Sequence, residues 1–256
     1  MKNKFTILGC GSSLGSPWIN SFWGNCDKVN KKNQRSRCCA HIRYKNLSIL
    51  IDTSPDIKRQ LISNNIKNVD SILYTHEHAD QTAGIFEFRP IYFMNKKKIP
   101  IYCNLTTQKK LKSAYPWLFK SSALYPKIMF FKNSKNNIFI EKNNIKFKIK
   151  AFNVVHGKVK TRGYLFNKIA YISDCNGIPM KSLRMLKNLN YLIIDCFRER
   201  KHVTHFNYDE ALEIIKILKP KKSILTNLHV DFDYKKLKKK LPANVTPAYD
   251  GMNFNF

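Results

Sequence analysis

The chain has 256 residues, 43% of them hydrophobic, and its 46 Lys and Arg outnumber 17 Asp and Glu for a net charge of +29. That length and apolar content suffice to bury a core as one domain over residues 1–256, which excludes a disordered chain or a small stapled one. Seven cysteines, an odd number with no C-x-x-C pair, exclude a disulfide framework and point to a reducing compartment; no apolar run nears the ~20 residues of a membrane span, so a cytoplasmic protein without a membrane partner is expected.

In chain order, Phe5 to Leu8 reads as a strand and is followed by an irregular segment from Gly11 to Arg37. A loop of that length needs a purpose, and its Trp18, Phe22 and Trp23 need cover; they read equally as the wall of a substrate cleft and as satellite core packing. Ile7-Leu8-Gly9-Cys10 is similar to a lipoprotein cleavage site, but the apolar stretch ahead of it is too short for a signal peptide. The glycine-rich start lacks the Gly-Lys-Ser/Thr ending of a phosphate-cradling loop, so no nucleotide site is inferred from it. Ala40 to Tyr44 and Leu47 to Ile51 form a predicted hairpin. Pro55 to Asn64 reads as a helix, and Asp52 and Asp56 either cap it or orient a metal ligand.

Val69 to Tyr74 is a predicted strand that runs into Thr75-His76-Glu77-His78-Ala79-Asp80. Side chains two apart in extended backbone point to one side, so His76, His78 and Asp80 can converge at the strand's carboxyl end. Two imidazoles and a carboxylate suit zinc or a comparable divalent ion, which makes hydroxide from water at neutral pH. Helices are predicted at Thr106 to Ala114, Pro179 to Lys187, Tyr208 to Leu218 and Tyr234 to Lys240, while Ile128 to Phe152 reads as nearly all strand. Four later apolar runs end in a polar residue that a core strand has no use for. Phe147 to Val155 ends in His156, Ile169 to Ser173 in Asp174, Tyr191 to Ile194 in Asp195, and Ser223 to Thr226 is followed by Asn227, Leu228 and His229. A metal centre explains all four. Strands alternating with helices predict an α/β fold, an αββα sandwich of two mixed sheets with helices outside and the ligands gathered at one rim.

The order and spacing of several segments resemble the metallo-β-lactamase superfamily of metal-dependent hydrolases, and within it the PhnP-like phosphodiesterase branch. They are Gly9-Cys10-Gly11-Ser12-Ser13 with Gly15 and Pro17, Ile51-Asp52-Thr53-Ser54-Pro55-Asp56, Leu73 through Gln81 with Gly84, His156, Tyr171-Ile172-Ser173-Asp174, Asp195, Thr204-His205 and Tyr249-Asp250-Gly251-Met252. The resemblance implies that His76, His78 and His156 hold one metal, that Asp80 and a late histidine hold a second, and that Asp174 bridges them. Zinc is the implied ion, two of them, with manganese or iron as substitutes. Three departures stand out. Gln81 replaces the histidine that follows the aspartate, Asn227 replaces a late ligand histidine and leaves His229 as the candidate, and only Cys26 stands where a small structural zinc site has three cysteines, so that extra zinc is expected to be absent.

The implied activity is hydrolysis of small cyclic or nucleotide phosphodiesters by a metal-bound hydroxide, with His205 matching the proposed general acid and His202 as its competitor. Asp80 belongs to the same catalytic set. Asp195 reads as a partner that orients a ligand imidazole. The alternatives are a nuclease or tRNA-processing enzyme, favoured by the charge, and a metal-depleted binding protein, motivated by Gln81 and Asn227. Most of the excess lysine is scattered among asparagines and isoleucines, as A/T-rich codons produce, so nucleic acid is a secondary expectation beside a small substrate, and a homodimer is the default assembly.

Overall fold

The computed structural model describes residues 2–123, 125–132 and 136–256. Its elements are β1 (Lys4–Gly9), β2 (Cys39–Tyr44), β3 (Leu47–Ile51), α1 (Ile57–Ser63), β4 (Ser71–Leu73), α2 (Ala79–Thr82), α3 (Arg89–Asn95), β5 (Ile99–Tyr102), α4 (Leu105–Ala114), α5 (Pro116–Phe119), β6 (Met129–Phe131) and β7 (Asn137–Lys142). They continue with β8 (Ile145–His156), β9 (Val159–Phe166), β10 (Ile169–Ile172), α6 (Met180–Leu183), β11 (Tyr191–Asp195), α7 (Tyr208–Leu218), β12 (Lys222–Thr226), α8 (Tyr234–Lys240), β13 (Val245–Pro247) and β14 (Met252–Asn255). Two compact units result, one of Met1–Leu8, Cys39–Lys148 and Asn253–Phe256, the other of Gly9–Cys38 and Ile149–Met252. One boundary falls inside β8, after Lys148, which is why no linker marks it in the sequence.

The first unit is built on the sheet β14-β1-β2-β3-β4-β5-β6. The β2–β3 hairpin pairs Ala40 with Ile51 and Tyr44 with Leu47, and β3, β4, β5 and β6 run parallel. Leu50, Ile72 and Ile101 join Ile57 and Leu61 of α1, Leu111 of α4 and Leu118 of α5 in one core. The alternate residues Ile49, Ile51 and Leu73 are also fully buried. Burial on both faces is the reason these strands read as unbroken apolar runs, each such side chain contributing about 1.5–3 kcal/mol.

The second unit carries β9 to β13 and most of β8 from the sheet β13-β12-β11-β10-β9-β8-β7. Two-residue turns with both residues left-handed, Asn143-Asn144 and Asn167-Lys168, join β7 to β8 and β9 to β10; asparagine tolerates that backbone, and its mirror twist matches the strands it connects. Ala211 and Ile215 of α7 and Leu237 of α8 pack with Ile172, Ile194 and Leu225 of the sheet. The start of α7 is fixed by a reciprocal cap, in which the Asn207 side chain accepts from the Glu210 backbone and Glu210 reaches back to Asn207.

The predicted strands and the helices α1, α4, α7 and α8 appear within a few residues of their expected bounds. The predicted helix Pro179 to Lys187 shortens to α6, because Ser182 Oγ donates to the main chain of Asn153 while Leu186 and Leu189 are drawn into the core. Packing there overrides helix propensity. The stretch Ile128 to Phe152 contains β6, β7 and most of β8; residues 133–135 of it lie outside the described residues. Helices α2, α3 and α5 were not anticipated, and α3 and α5 each begin with proline in the first turn, a position that needs no N–H.

Candidate metal centre

In the first unit the parallel strands β3, β4 and β5 bring their carboxyl ends to one edge, and Asp52 and Thr75-His76 follow β3 and β4 there. The Asp52 carboxylate, fully buried, accepts from the Thr75 backbone N–H at 2.8 Å and from its hydroxyl at 2.9 Å. With its one proton committed to that carboxylate, the hydroxyl can only accept from His76 Nδ1 at 3.0 Å, so His76 carries its proton on Nδ1 and presents the Nε2 lone pair. Asp52 therefore orients an imidazole through Thr75. The His76 and His78 rings meet edge to face with centroids 4.4 Å apart, His76 buried and His78 exposed. The extended backbone ends at His78, since α2 begins at Ala79 and puts Asp80 in its first turn. Gln81, expected as a neutral replacement, lies beside Asp80, its Nε2 donating to the carboxylate at 3.4 Å.

In the second unit β8 is antiparallel to β9 and β9 to β10, while β10, β11 and β12 are parallel. Four carboxyl ends therefore share one edge, which carries His156, Asp174, Asp195 and Asn227. Ligand atoms of His156, Asp174 and His205 lie within 4.8 Å of one another. Nδ1 of His156 donates to the main-chain carbonyl of Thr204 at 2.7 Å, an approach that glycine permits, because a Cβ on Gly157 would come within 2.6 Å of Thr204 Cγ2. His205 Nδ1 donates to Asp195 Oδ2 at 2.7 Å. Both imidazoles thus turn Nε2 to the cluster, and a donor set of two imidazoles and a carboxylate fits a divalent ion such as zinc.

Asp195 is fully buried and also accepts from the Cys175 backbone at 2.8 Å. Burial pushes its pKa up to about 7, against the pull of His205. Asn227, in the left-handed region at φ 61, donates its amide to Asp195 Oδ1 at 3.2 Å and Asp174 Oδ1 at 3.4 Å. Where a ligand histidine was expected, this residue joins the two acids. His229 has its Nδ1 3.2 Å from Asp231 Oδ2, and its ring meets Phe197 at 5.1 Å and Trp18 at 5.6 Å. Burial lowers its pKa. His202 packs on Phe197 and His205, and its Nδ1 accepts from the Thr204 backbone. Phe197, stacked on His205 at 4.9 Å and 23°, carried no sequence signal, since an aromatic after a strand is ordinarily core.

Residues 48–227 match the family described as the beta-lactamase superfamily domain. A solved structure described as a new diphosphatase from the PhnP family is 30% identical, covers 100% of this chain and 98% of that one, and superposes with a TM-score of 0.88. Human tRNase Z, short form, shares the fold at 16% identity, 98% of each chain and a TM-score of 0.67. A curated octanoyltransferase of Porphyromonas gingivalis (strain ATCC BAA-308 / W83) is 25% identical over 96% of this chain and 50% of its own length. The chain thus spans about half the length of that curated relative. Among the described residues, no helix is long and apolar enough to cross a membrane.

Proposed function

The chain belongs to the metallo-β-lactamase superfamily of hydrolases, with the αββα fold and a PhnP-like sequence, and from that premise we propose that it cleaves phosphodiesters with the help of divalent metal. The observation that carries the reading is the convergence of His156, Asp174 and His205, with Nδ1 of each ring engaged, so that Nε2 of His156 is left for a metal and Nε2 of His205 for proton transfer. The proposed ligands are His76, His78, Asp80, His156, Asp174 and His229, and the proposed metal is zinc, with manganese or iron as substitutes. A bound ion of this kind supplies a Lewis acid and lowers the pKa of a water molecule toward neutrality.

The residues of the chain do the rest. His205 is proposed as the general acid: Asp195 fixes the ring by accepting from its Nδ1, which leaves Nε2 to deliver a proton to a leaving alkoxide. Asn227 keeps Asp195 and Asp174 in register by donating its amide to both. Arg198, with its Cζ 5.6 Å over the Phe197 ring on which His205 stacks, offers a cation for an anionic substrate. A diphosphate bridge, as the relative's description names, presents the same phosphorus centre to this machinery.

Metal analysis of the purified protein followed by turnover of bis(p-nitrophenyl) phosphate tests the reading. Bound metal with phosphodiester cleavage is expected; bound metal with cleavage of p-nitrophenyl octanoate and of no phosphodiester would overturn it in favour of acyl chemistry. The net charge of +29 and the tRNase Z fold likeness favour a nuclease as the second reading. A steep fall of affinity with salt would mark that polyanionic substrate.

A further inference from the structure

We propose that Trp18 and Phe22 form a stacking platform for a nucleobase, which makes the substrate of the proposed hydrolase a nucleotide phosphodiester; the inference rests on the phosphodiesterase reading. A run of ring contacts leads from the proposed acid to the loop of residues 11–37: His205 on Phe197 at 4.9 Å, Phe197 on His229 at 5.1 Å, His229 on Trp18 at 5.6 Å and Trp18 on Phe22 at 4.9 Å. Neither Trp18 contact is face to face, the planes crossing at 65° and 48°. Trp18 is half-buried and Phe22 is 47% exposed beside it, an aromatic pair at the surface of the loop.

The platform is rigid. Trp18 N–H donates to Phe22 O and Ser21 N–H to Trp18 O, closing a tight turn around the two rings. Ser16 and Arg35 exchange backbone hydrogen bonds at its base, and the buried Arg35 guanidinium donates to the carbonyls of His229 and Phe232. Arg35 thereby ties the loop to the segment carrying His229, so the rings hold their place before any ligand arrives, and rigid aromatics bind at little entropic cost. Arg198 and His205 occupy the far end of the same ring series, so a phosphate and an aromatic base find their partners three ring contacts apart. An aliphatic alcohol esterified to the phosphate has nothing to gain from indole face; a base does, and stacking of one base on an aromatic side chain is worth roughly tenfold in affinity or more.

The test compares metal-loaded wild type, Trp18→Ala, Trp18→Phe and Phe22→Ala on a nucleoside 2′,3′-cyclic phosphate and on glycerol 1,2-cyclic phosphate. The kcat/KM ratio of nucleoside to glycerol substrate is expected to fall roughly tenfold in Trp18→Ala, through KM rather than kcat, less in Phe22→Ala, and to be restored by Trp18→Phe. An unchanged ratio in Trp18→Ala would overturn the proposal, whether the two substrates move together or not at all. Should the wild type hydrolyse neither, the hydrolase reading falls and calorimetric binding of adenosine 5′-monophosphate against glycerol phosphate still decides. A preference for the nucleotide that Trp18→Ala removes supports the platform; no preference, or one that the variant keeps, rules it out.

Discussion

In the first unit His76 donates a hydrogen bond from Nδ1 to the Thr75 hydroxyl, which in turn donates to the Asp52 carboxylate; in the second unit His156 donates from Nδ1 to the main-chain carbonyl of Thr204. The outcome is one tautomer with Nε2 presented, reached by different means. The first arrangement depends on two side chains and is open to substitution at each. The second depends on backbone, and a side-chain change at Thr204 leaves its acceptor in place. Orientation of a ligand imidazole is thus a property of the position to which the fold brings any suitable acceptor.

Removing the imidazole itself disregards the difference and has the largest effect. His76→Ala and His156→Ala are each expected to lose metal uptake, read by elemental analysis, and to abolish phosphodiester turnover; retention of full metal in either would break the proposed ligand set. His205, held by a third device, the Asp195 carboxylate, separates acid from ligand. His205→Ala is expected to keep its metal and lose on the order of 10²–10⁴ in kcat, more for poor leaving groups than for p-nitrophenolate, whereas loss of metal would assign it as a ligand.

The comparison is sharpest in the two threonines. Thr75→Val removes the acceptor of His76 and is expected to weaken metal binding roughly 10–100-fold in competition with a chelator. Thr204→Val keeps the carbonyl that serves His156 and is expected to bind metal within about twofold of wild type, a difference that vanishes if His76 needs no hydroxyl. The smallest effect concerns an imidazole remote from both devices. His41 in β2 is buried against Ser48 Oγ at 2.9 Å, and burial lowers its pKa to about 4. The unfolded chain therefore binds a proton that the folded one refuses as pH falls from ~6.5 to ~4, which costs up to about 3 kcal/mol of stability over that window. Asp250, whose pKa burial pushes up to about 6, acts with the opposite sign, so the measurement is the difference in urea stability between wild type and His41→Gln at pH 7 and pH 4.5.

Much of this was legible in the chain itself because local chemistry and topology agree. A charged or imidazole residue closing an apolar run has no packing reason to be there, and His156, Asp174 and Asp195 all close strands that share an edge. Asp195 as an orienting partner could be anticipated from the same pattern, as could Asp52. What the residues could not announce depends on register across long separations. Asn227 looks like a lost ligand until its amide is seen between two carboxylates, one of them 53 positions away. Arg35, 2% exposed in a loop of a very basic chain, reads as surface until its carbonyl partners are known. The helices α3 and α5 went unread because their aromatic residues favour strands by propensity, and their packing within the unit decided otherwise.

An anomalous-scattering map of crystals grown from metal-loaded protein decides whether the carboxyl edge of the second sheet holds the ion. A peak is expected there, within coordination distance of His156 Nε2 and the Asp174 carboxylate. An ion bound away from both residues, or fully loaded protein with no peak at that edge, would rule the metal centre out.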